Sequence, residues 1–106
     1  MTDSKVLMLA VTTVADAAQA EALAASVLQH RLAACISTQT IHSHYVWEGE
    51  QQHEQEVQLL FKTCPQRLEA LREAVLAQHP YDLPEWLSWP VQASSAYGIW
   101  ATGQLN

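Results

Sequence analysis

Glycine, cysteine and positive charge are all scarce in this chain of 106 residues. The three glycines form no G-x-G-x-x-G motif, which excludes the glycine-rich loop that cradles the phosphates of a dinucleotide. Five lysines and arginines stand against eleven acidic residues, and the net charge of −6 repels nucleic-acid phosphates. No segment reaches the roughly 20 consecutive apolar residues of a membrane-spanning helix. We therefore expect neither a nucleic acid nor a membrane as partner.

The two cysteines, Cys35 and Cys64, are too few for a disulfide framework, and a reducing compartment would keep both as thiols. The N-terminal segment, residues 1–11, lacks the basic region and the long apolar stretch of a signal peptide. The sequence also lacks the Gly-x-Ser-x-Gly and His-Glu-x-x-His motifs of hydrolases. These features predict a cytoplasmic protein that is not an enzyme.

Two helices are predicted from the spacing of apolar residues. Asp16 and Gln19 form a capping box before a run whose apolar positions, 20, 23, 24, 27 and 28, share one helical face. Pro65 suits the first turn of a second helix, which His79 and Pro80 are expected to end. A last helical turn is expected at residues 97–100.

Strands are predicted at residues 6–12, 32–47, 54–63 and 91–94, with a turn around Gly49. Pro84 and Pro90 are expected to lie in the loop before the last strand. The order β-α-β-β-α-β is that of the ferredoxin-like, or split βαβ, fold. We therefore predict an α+β fold in one domain, residues 1–106, with a short C-terminal helix.

The first strand is apolar on both faces, at positions 6, 8 and 10 and at positions 7, 9 and 11. Two helices cover only one face of such a sheet, so the other face would expose a broad apolar surface to water. The long hairpin around Gly49 is also expected to project past the sheet and to offer strand edges to a neighbour. Both features predict a homo-oligomer.

Four motifs then follow one another along the chain: Ala33-Ala34-Cys35, Tyr45-x-Trp47-x-Gly49, Lys62-Thr63 and His79-Pro80-Tyr81-Asp82-Leu83-Pro84-Glu85. With this order and spacing, the sequence from about residue 6 to residue 100 resembles the CutA family, small trimeric proteins named for tolerance to divalent cations. The resemblance implies a ferredoxin-like subunit, a homotrimer closed by the long hairpins, and a role in the response to divalent metal ions.

The resemblance also implies a copper or zinc site. Family members that bind copper are thought to use a cysteine and a histidine that correspond to Cys35 and His79. Thiolate and imidazole are suitable ligands for Cu(I) and Zn(II). A further cysteine of some relatives corresponds to Val11, so a third ligand is missing here. The alternative is that Cys35 packs as a small apolar residue and His79 caps a helix end.

A second group, Tyr45, Trp47, Lys62, Tyr81 and Glu85, matches positions that the family tends to keep. In a trimer these residues could line a cleft between subunits, where a lysine and a carboxylate could bind a small ligand. That arrangement would resemble the architecture of the PII signalling trimers. The alternative is an interface in which paired charges and aromatic side chains hold the subunits together.

His42 and His44 are two residues apart on a predicted strand, so their side chains point to the same face. Such a pair can chelate Zn(II), Ni(II) or Cu(II). The family pattern has no histidine at either position. His53 lies near the hairpin and would join the pair only if the turn geometry brought it there.

Overall fold

The computed structural model describes residues 4–105. Its elements are β1 (Ser4–Val14), α1 (Ala17–Gln29), β2 (Cys35–Trp47), β3 (Glu50–Thr63), α2 (Leu68–Gln78), β4 (Leu87–Ser94) and α3 (Ser95–Gly103). A short 3-10 helix, Pro65–Arg67, leads into α2. The predicted α+β, ferredoxin-like order is confirmed. None of the helices within this described part is long and apolar enough to cross a bilayer.

The four strands form an antiparallel sheet in the order β2-β3-β1-β4. A two-residue turn joins β2 to β3, and its residues Glu48 and Gly49 have φ angles of 51° and 80°. Two successive positive φ angles are typical of a type I′ turn, whose twist matches that of the flanking strands. The turn fixes a continuous register from the Trp47–Glu50 pair to the Cys35–Lys62 pair.

Helices α1 and α2 pack on the sheet face that carries Ala10 and Val14 of β1. The helix α1 begins at the predicted cap, because the Asp16 carboxylate accepts the Gln19 N–H at 2.9 Å. The buried residues of this core come from both helices and from the central strands: Ala10, Val14, Ala20, Leu23, Val27, Ala33, Leu59, Phe61, Leu71 and Val75.

The strand β2 begins at Cys35, so the prediction that it starts at residue 32 was wrong. Arg31 has a positive φ of 55° and the Leu32 N–H bonds back to the Val27 carbonyl at 3.1 Å. The residues after α1 therefore close the end of the helix before the chain extends.

The strand β4 spans Leu87–Ser94, so the prediction of a loop around Pro90 was also wrong. Pro90 lies opposite Met8 in the β1–β4 ladder. Because β4 is an edge strand, the missing N–H of a proline can face outward without breaking a ladder bond.

The helix α3 is longer than predicted, since Ser94 caps it and it continues to Gly103. It lies against the second face of the sheet, where a Cβ on Gly98 would stand 2.4 Å from Lys5 Cβ. Lys5 shares this face with Leu7, Leu9 and Val11 through strand alternation. The face predicted to be bare is thus covered at one end, and we call its uncovered remainder the open face.

The hairpin of β2 and β3 projects beyond the rest of the sheet, as predicted. The strand β1 pairs with β3 only from Val57 to Thr63. Within residues 4–105, the seven β2–β3 pairs from Ile41–Glu56 to Trp47–Glu50 therefore have no third strand beside them. We call these seven pairs the projecting hairpin.

Candidate functional site

A groove with a volume of about 850 Å³ lies between the projecting hairpin and the loop of residues 79–86. We call it the hairpin groove. Its wall on the hairpin side includes Tyr45, Trp47, Glu54 and Glu56, and its wall on the loop side is formed by residues 81–85. The alternation of side chains along a strand explains why both glutamates lie on this wall, because Glu54 and Glu56 are two residues apart on β3 and point to the same side.

Two hydrogen bonds to the end of β1 hold the loop in place. The Thr12 hydroxyl, which is fully buried, donates to the Glu85 carbonyl at 2.7 Å. His79 Nε2 donates to the Thr13 carbonyl at 2.8 Å. The loop is therefore fixed beside the end of β1, and this places Tyr81 and Glu85 opposite the hairpin.

Both ring nitrogens of His79 are occupied. While Nε2 donates to Thr13, Nδ1 accepts the Tyr81 N–H at 3.1 Å. The Tyr81 ring also packs edge-on against the imidazole, with centroids 4.8 Å apart. These contacts give His79 a structural part in the loop, and a metal ion could bind there only after one of the two bonds breaks.

Tyr81 and Glu56 connect the two walls of the groove. The Tyr81 hydroxyl donates to Glu56 Oε2 at 2.8 Å, and Glu56 is only 8% exposed. Partial burial, followed by the bond to Glu56, raises the pKa of the Tyr81 hydroxyl far above its usual value, so it remains a donor. Loss of solvent and then the charge of Glu56 raise the pKa of the Glu85 carboxyl.

Tyr45 and Trp47 lie nearer the tip of the hairpin and are more exposed. The Tyr45 hydroxyl donates to Glu54 Oε1 at 2.5 Å, and this bond is the main reason that the pKa of Tyr45 is raised. Trp47 is 45% exposed. The hairpin groove thus combines aromatic rings with three glutamates, a surface that favours a positively charged ligand.

Cys35 and Lys62 lie apart from this groove. They face each other across β2 and β3 on the open face, in one row with Leu9 and Trp89. Lys62 Nζ donates to Cys35 Sγ at 3.8 Å, and the thiol residue is half-buried. The row contains two apolar side chains beside the thiol and the ammonium group, and Trp89 is 40% exposed.

A single chain does not bring Cys35 and His79 together. Cys35 lies in the row of Leu9, whereas His79 bonds to Thr13, four residues and roughly 13 Å further along β1. Residues 4–105 contain no group of three or more His, Cys, Asp or Glu side chains arranged around one point.

Four of the five residues that were predicted to line a cleft between subunits lie together in the hairpin groove of a single chain: Tyr45, Trp47, Tyr81 and Glu85. The fifth, Lys62, lies with Cys35 instead. The cleft between subunits stays a prediction. Sequence reasoning missed Glu54 and Glu56. The signal that could have identified them is the register set by the two-residue turn, which places Glu54 and Glu56 opposite Ser43 and Ile41, on the same face of the hairpin as Tyr45.

Comparisons with known proteins agree with the motifs. The family model described as CutA1 divalent ion tolerance protein matches residues 8–104. The divalent-cation tolerance protein CutA of Pectobacterium atrosepticum is 41% identical over 96 residues, which cover 89% of this chain and 87% of that protein.

This chain is also similar to solved structures of CutA proteins. CutA from Synechococcus elongatus has a TM-score of 0.91 and 40% identity, covering 95% of this chain and 91% of that one. An Archaeoglobus fulgidus structure, described as a periplasmic divalent cation tolerance protein CutA, has a TM-score of 0.91 and 25% identity, covering 94% and 99%. The family match and these identities together show that the chain belongs to the CutA1 divalent ion tolerance family.

Proposed function

We propose that this protein acts in divalent-metal tolerance by binding copper or zinc through the Cys35 thiolate. The observation that carries the proposal is the position of Cys35, half-buried on the open face with an ammonium group 3.8 Å from its sulfur. The thiolate is the form of a cysteine side chain that binds soft and borderline metals. Membership in a divalent ion tolerance family supports the same function.

The remaining ligands come from other copies of the chain, because His79 lies too far from Cys35 within one subunit. The open face supplies the surface for such assembly. Its apolar side chains Leu87 and Trp89 are 56% and 40% exposed. Exposed apolar patches of this kind mark interfaces, and the family resemblance favours a homotrimer. His79 could then act as a second ligand once it releases Thr13 or Tyr81.

We further propose that the protein works in the cytoplasm. Both cysteines are unpaired, and free thiols are stable in a reducing compartment. The proposed Cu(I) site at Cys35 depends on such a compartment, since oxidation of the thiol would remove the ligand. No separate catalytic step is part of this proposal.

A competition titration tests the metal site. Reduced protein is titrated with Cu(I) against a chromophoric chelator of known affinity, with Cys35→Ser beside it and Cys64→Ala as the matched control. Cys64 is 6% exposed and should not reach a metal. We expect wild type and Cys64→Ala to compete equally and Cys35→Ser to lose the site. Equal competition by all three proteins would exclude Cys35 as a ligand.

Sedimentation equilibrium tests the assembly. We expect wild type at three times the chain mass, and Trp89→Glu at a lower mass because it places a charge on the apolar open face. Leu28→Glu is the control, since Leu28 is 46% exposed on α1, which packs on the other side of the sheet. A monomeric wild type, or equal dissociation of both variants, would contradict the proposed interface.

The hairpin groove favours a second candidate function, small-ligand binding of the kind that PII-like trimers perform. Its volume of about 850 Å³ suits a small molecule, and its carboxylates favour an organic cation over an anionic metabolite. Thermal melts with small amines beside neutral alcohols of matched size test this function. A rise in Tm with an amine that is lost in Glu56→Gln would support it, and no rise with any amine would argue against it.

A further inference from the structure

Three histidines meet on one face of the projecting hairpin, and one of them, His44, also lines the hairpin groove. His44 lies directly opposite His53 in the β2–β3 ladder. His42 is two residues from His44 on the same strand and therefore points to the same side. All three residues are exposed. The two-residue turn brings His53 to the pair that the sequence predicted.

The separations between the rings are close to those that binding of one shared metal ion would require. The His44 and His53 rings are 4.2 Å apart between centroids, and His42 and His53 are 5.7 Å apart. In a tetrahedral zinc site the metal–nitrogen distance is about 2.0–2.1 Å, which puts the centroids of two bound imidazoles at ~5 Å from each other. The observed separations lie on either side of that value.

We propose that His42, His44 and His53 form a binding site for a borderline divalent cation such as Zn(II) or Cu(II), with water as the fourth ligand. Imidazole is a preferred ligand for these ions. Two histidines spaced by one residue on a strand, with a third on the adjacent strand, give three ligands on one face of a sheet. The remaining position stays open to water.

The site forms on binding, because in the observed side-chain positions His44 and His53 stack with an interplanar angle of 7°. Parallel rings do not direct their nitrogens at one point, which agrees with the lack of a preassembled metal group within residues 4–105. Exposed side chains change rotamer in picoseconds to nanoseconds, so the rings can turn toward an ion.

The site is independent of the proposed function at Cys35. His44 is nine residues from Cys35 along β2, which corresponds to roughly 30 Å. The two sites also differ in chemistry, since three imidazoles favour divalent Zn(II), Cu(II) or Ni(II), whereas a thiolate favours Cu(I). The hairpin site can therefore be tested in protein that lacks the thiol.

The experiment is a Zn(II) titration of intact Cys35→Ser protein against a chromophoric zinc indicator. We expect one Zn(II) per chain. Adding His53→Gln should weaken binding on the order of tenfold or more, because it removes a ligand. Adding His30→Gln is the matched control, since His30 is an exposed histidine at the end of α1 and should leave the affinity unchanged.

A spectroscopic readout confirms the ligand type. Cu(II) added to the Cys35→Ser protein should show nitrogen hyperfine structure in electron paramagnetic resonance, with fewer coupled nitrogens after His53→Gln. No saturable binding, or the same affinity in His53→Gln as in the parent, would overturn the proposal. An equal loss in His30→Gln would overturn it too, because the zinc would then bind scattered surface histidines. Cu(I) competition at Cys35 is measured separately, so either site can fail without the other.

Discussion

Replacing Tyr81 by phenylalanine removes one hydroxyl and leaves the ring in place. The hydroxyl donates a 2.8 Å hydrogen bond to Glu56, whose side chain is only 8% exposed. The edge-on contact of the ring with His79 does not depend on that hydroxyl. The change therefore isolates the effect of withdrawing a donor from a buried carboxylate.

The expected loss of stability follows from the strength of the Tyr81–Glu56 hydrogen bond and from the partial exposure of Tyr81. A hydrogen bond to a charged group contributes about 1.5–3 kcal/mol to stability. Tyr81 is half-buried at the wall of an open groove, where entering water offsets part of the loss. We expect the free energy of unfolding to fall by about 1–2 kcal/mol. With a slope of about 1–1.5 kcal/mol per molar urea, the unfolding midpoint should fall by roughly 1 M.

Urea unfolding at one fixed protein concentration measures the effect, since assembly makes the midpoint concentration-dependent. Tyr45→Phe is the matched control. It also removes a hydroxyl bonded to a glutamate, but both Tyr45 and Glu54 are exposed to solvent. Its midpoint should match that of wild type. Equal midpoints for Tyr81→Phe and Tyr45→Phe would refute the assignment of Glu56 as a buried carboxylate that needs its donor.

Two further predictions concern packing and pH. Gly98→Ala should lower the free energy of unfolding by about 1–3 kcal/mol in thermal unfolding, because a Cβ there would stand 2.4 Å from Lys5 Cβ. Gly103→Ala is the control: a Cβ at position 103 would have no atom within 4 Å, so this change should be neutral or stabilising. Equal effects of the two changes would contradict the close packing of Gly98 against Lys5. The pKa of the Glu85 carboxyl is raised in the folded state, so the folded chain keeps the carboxyl proton to a higher pH than the unfolded chain does. The folded state therefore loses stability as the pH rises above the usual pKa of a glutamate. Glu85→Gln should therefore be more stable than wild type at pH 7, with a difference that disappears in acid; a difference independent of pH would exclude this cause.

Local patterns predicted most of the fold. The capping residues Asp16 and Gln19 located α1, and the turn predicted around Gly49 located the hairpin, although β3 begins at Glu50 and not at residue 54 as predicted. Both depend on residues close in sequence. The position of Pro90 was mispredicted because a proline is acceptable in a strand only at a sheet edge. Strand order depends on the whole chain, so the residues near Pro90 could not indicate that its strand lies at an edge.

The candidate site, too, was predictable only where local patterns suffice. Four of the residues predicted for a cleft between subunits lie together within one chain, because strand alternation and one loop suffice to place them. Lys62 is on the same face of β3 as Glu56, but six residues further along it, and only the β1–β3 register shows that it lies with Leu9. The two hydrogen bonds of His79 could not be predicted, because one of them depends on a carbonyl 66 positions away in the chain.

The projecting hairpin has one more consequence, for amide hydrogen exchange. Its residues from Tyr45 to Gln51 are exposed on both faces in a single chain. A two-stranded ribbon without a covered face is marginally stable in water, so its amides should open independently of the core. Packing against neighbouring copies would remove that independence. The exchange rates at the tip of the hairpin would therefore report subunit association residue by residue, while the amides of β1, paired on both sides, would report global unfolding.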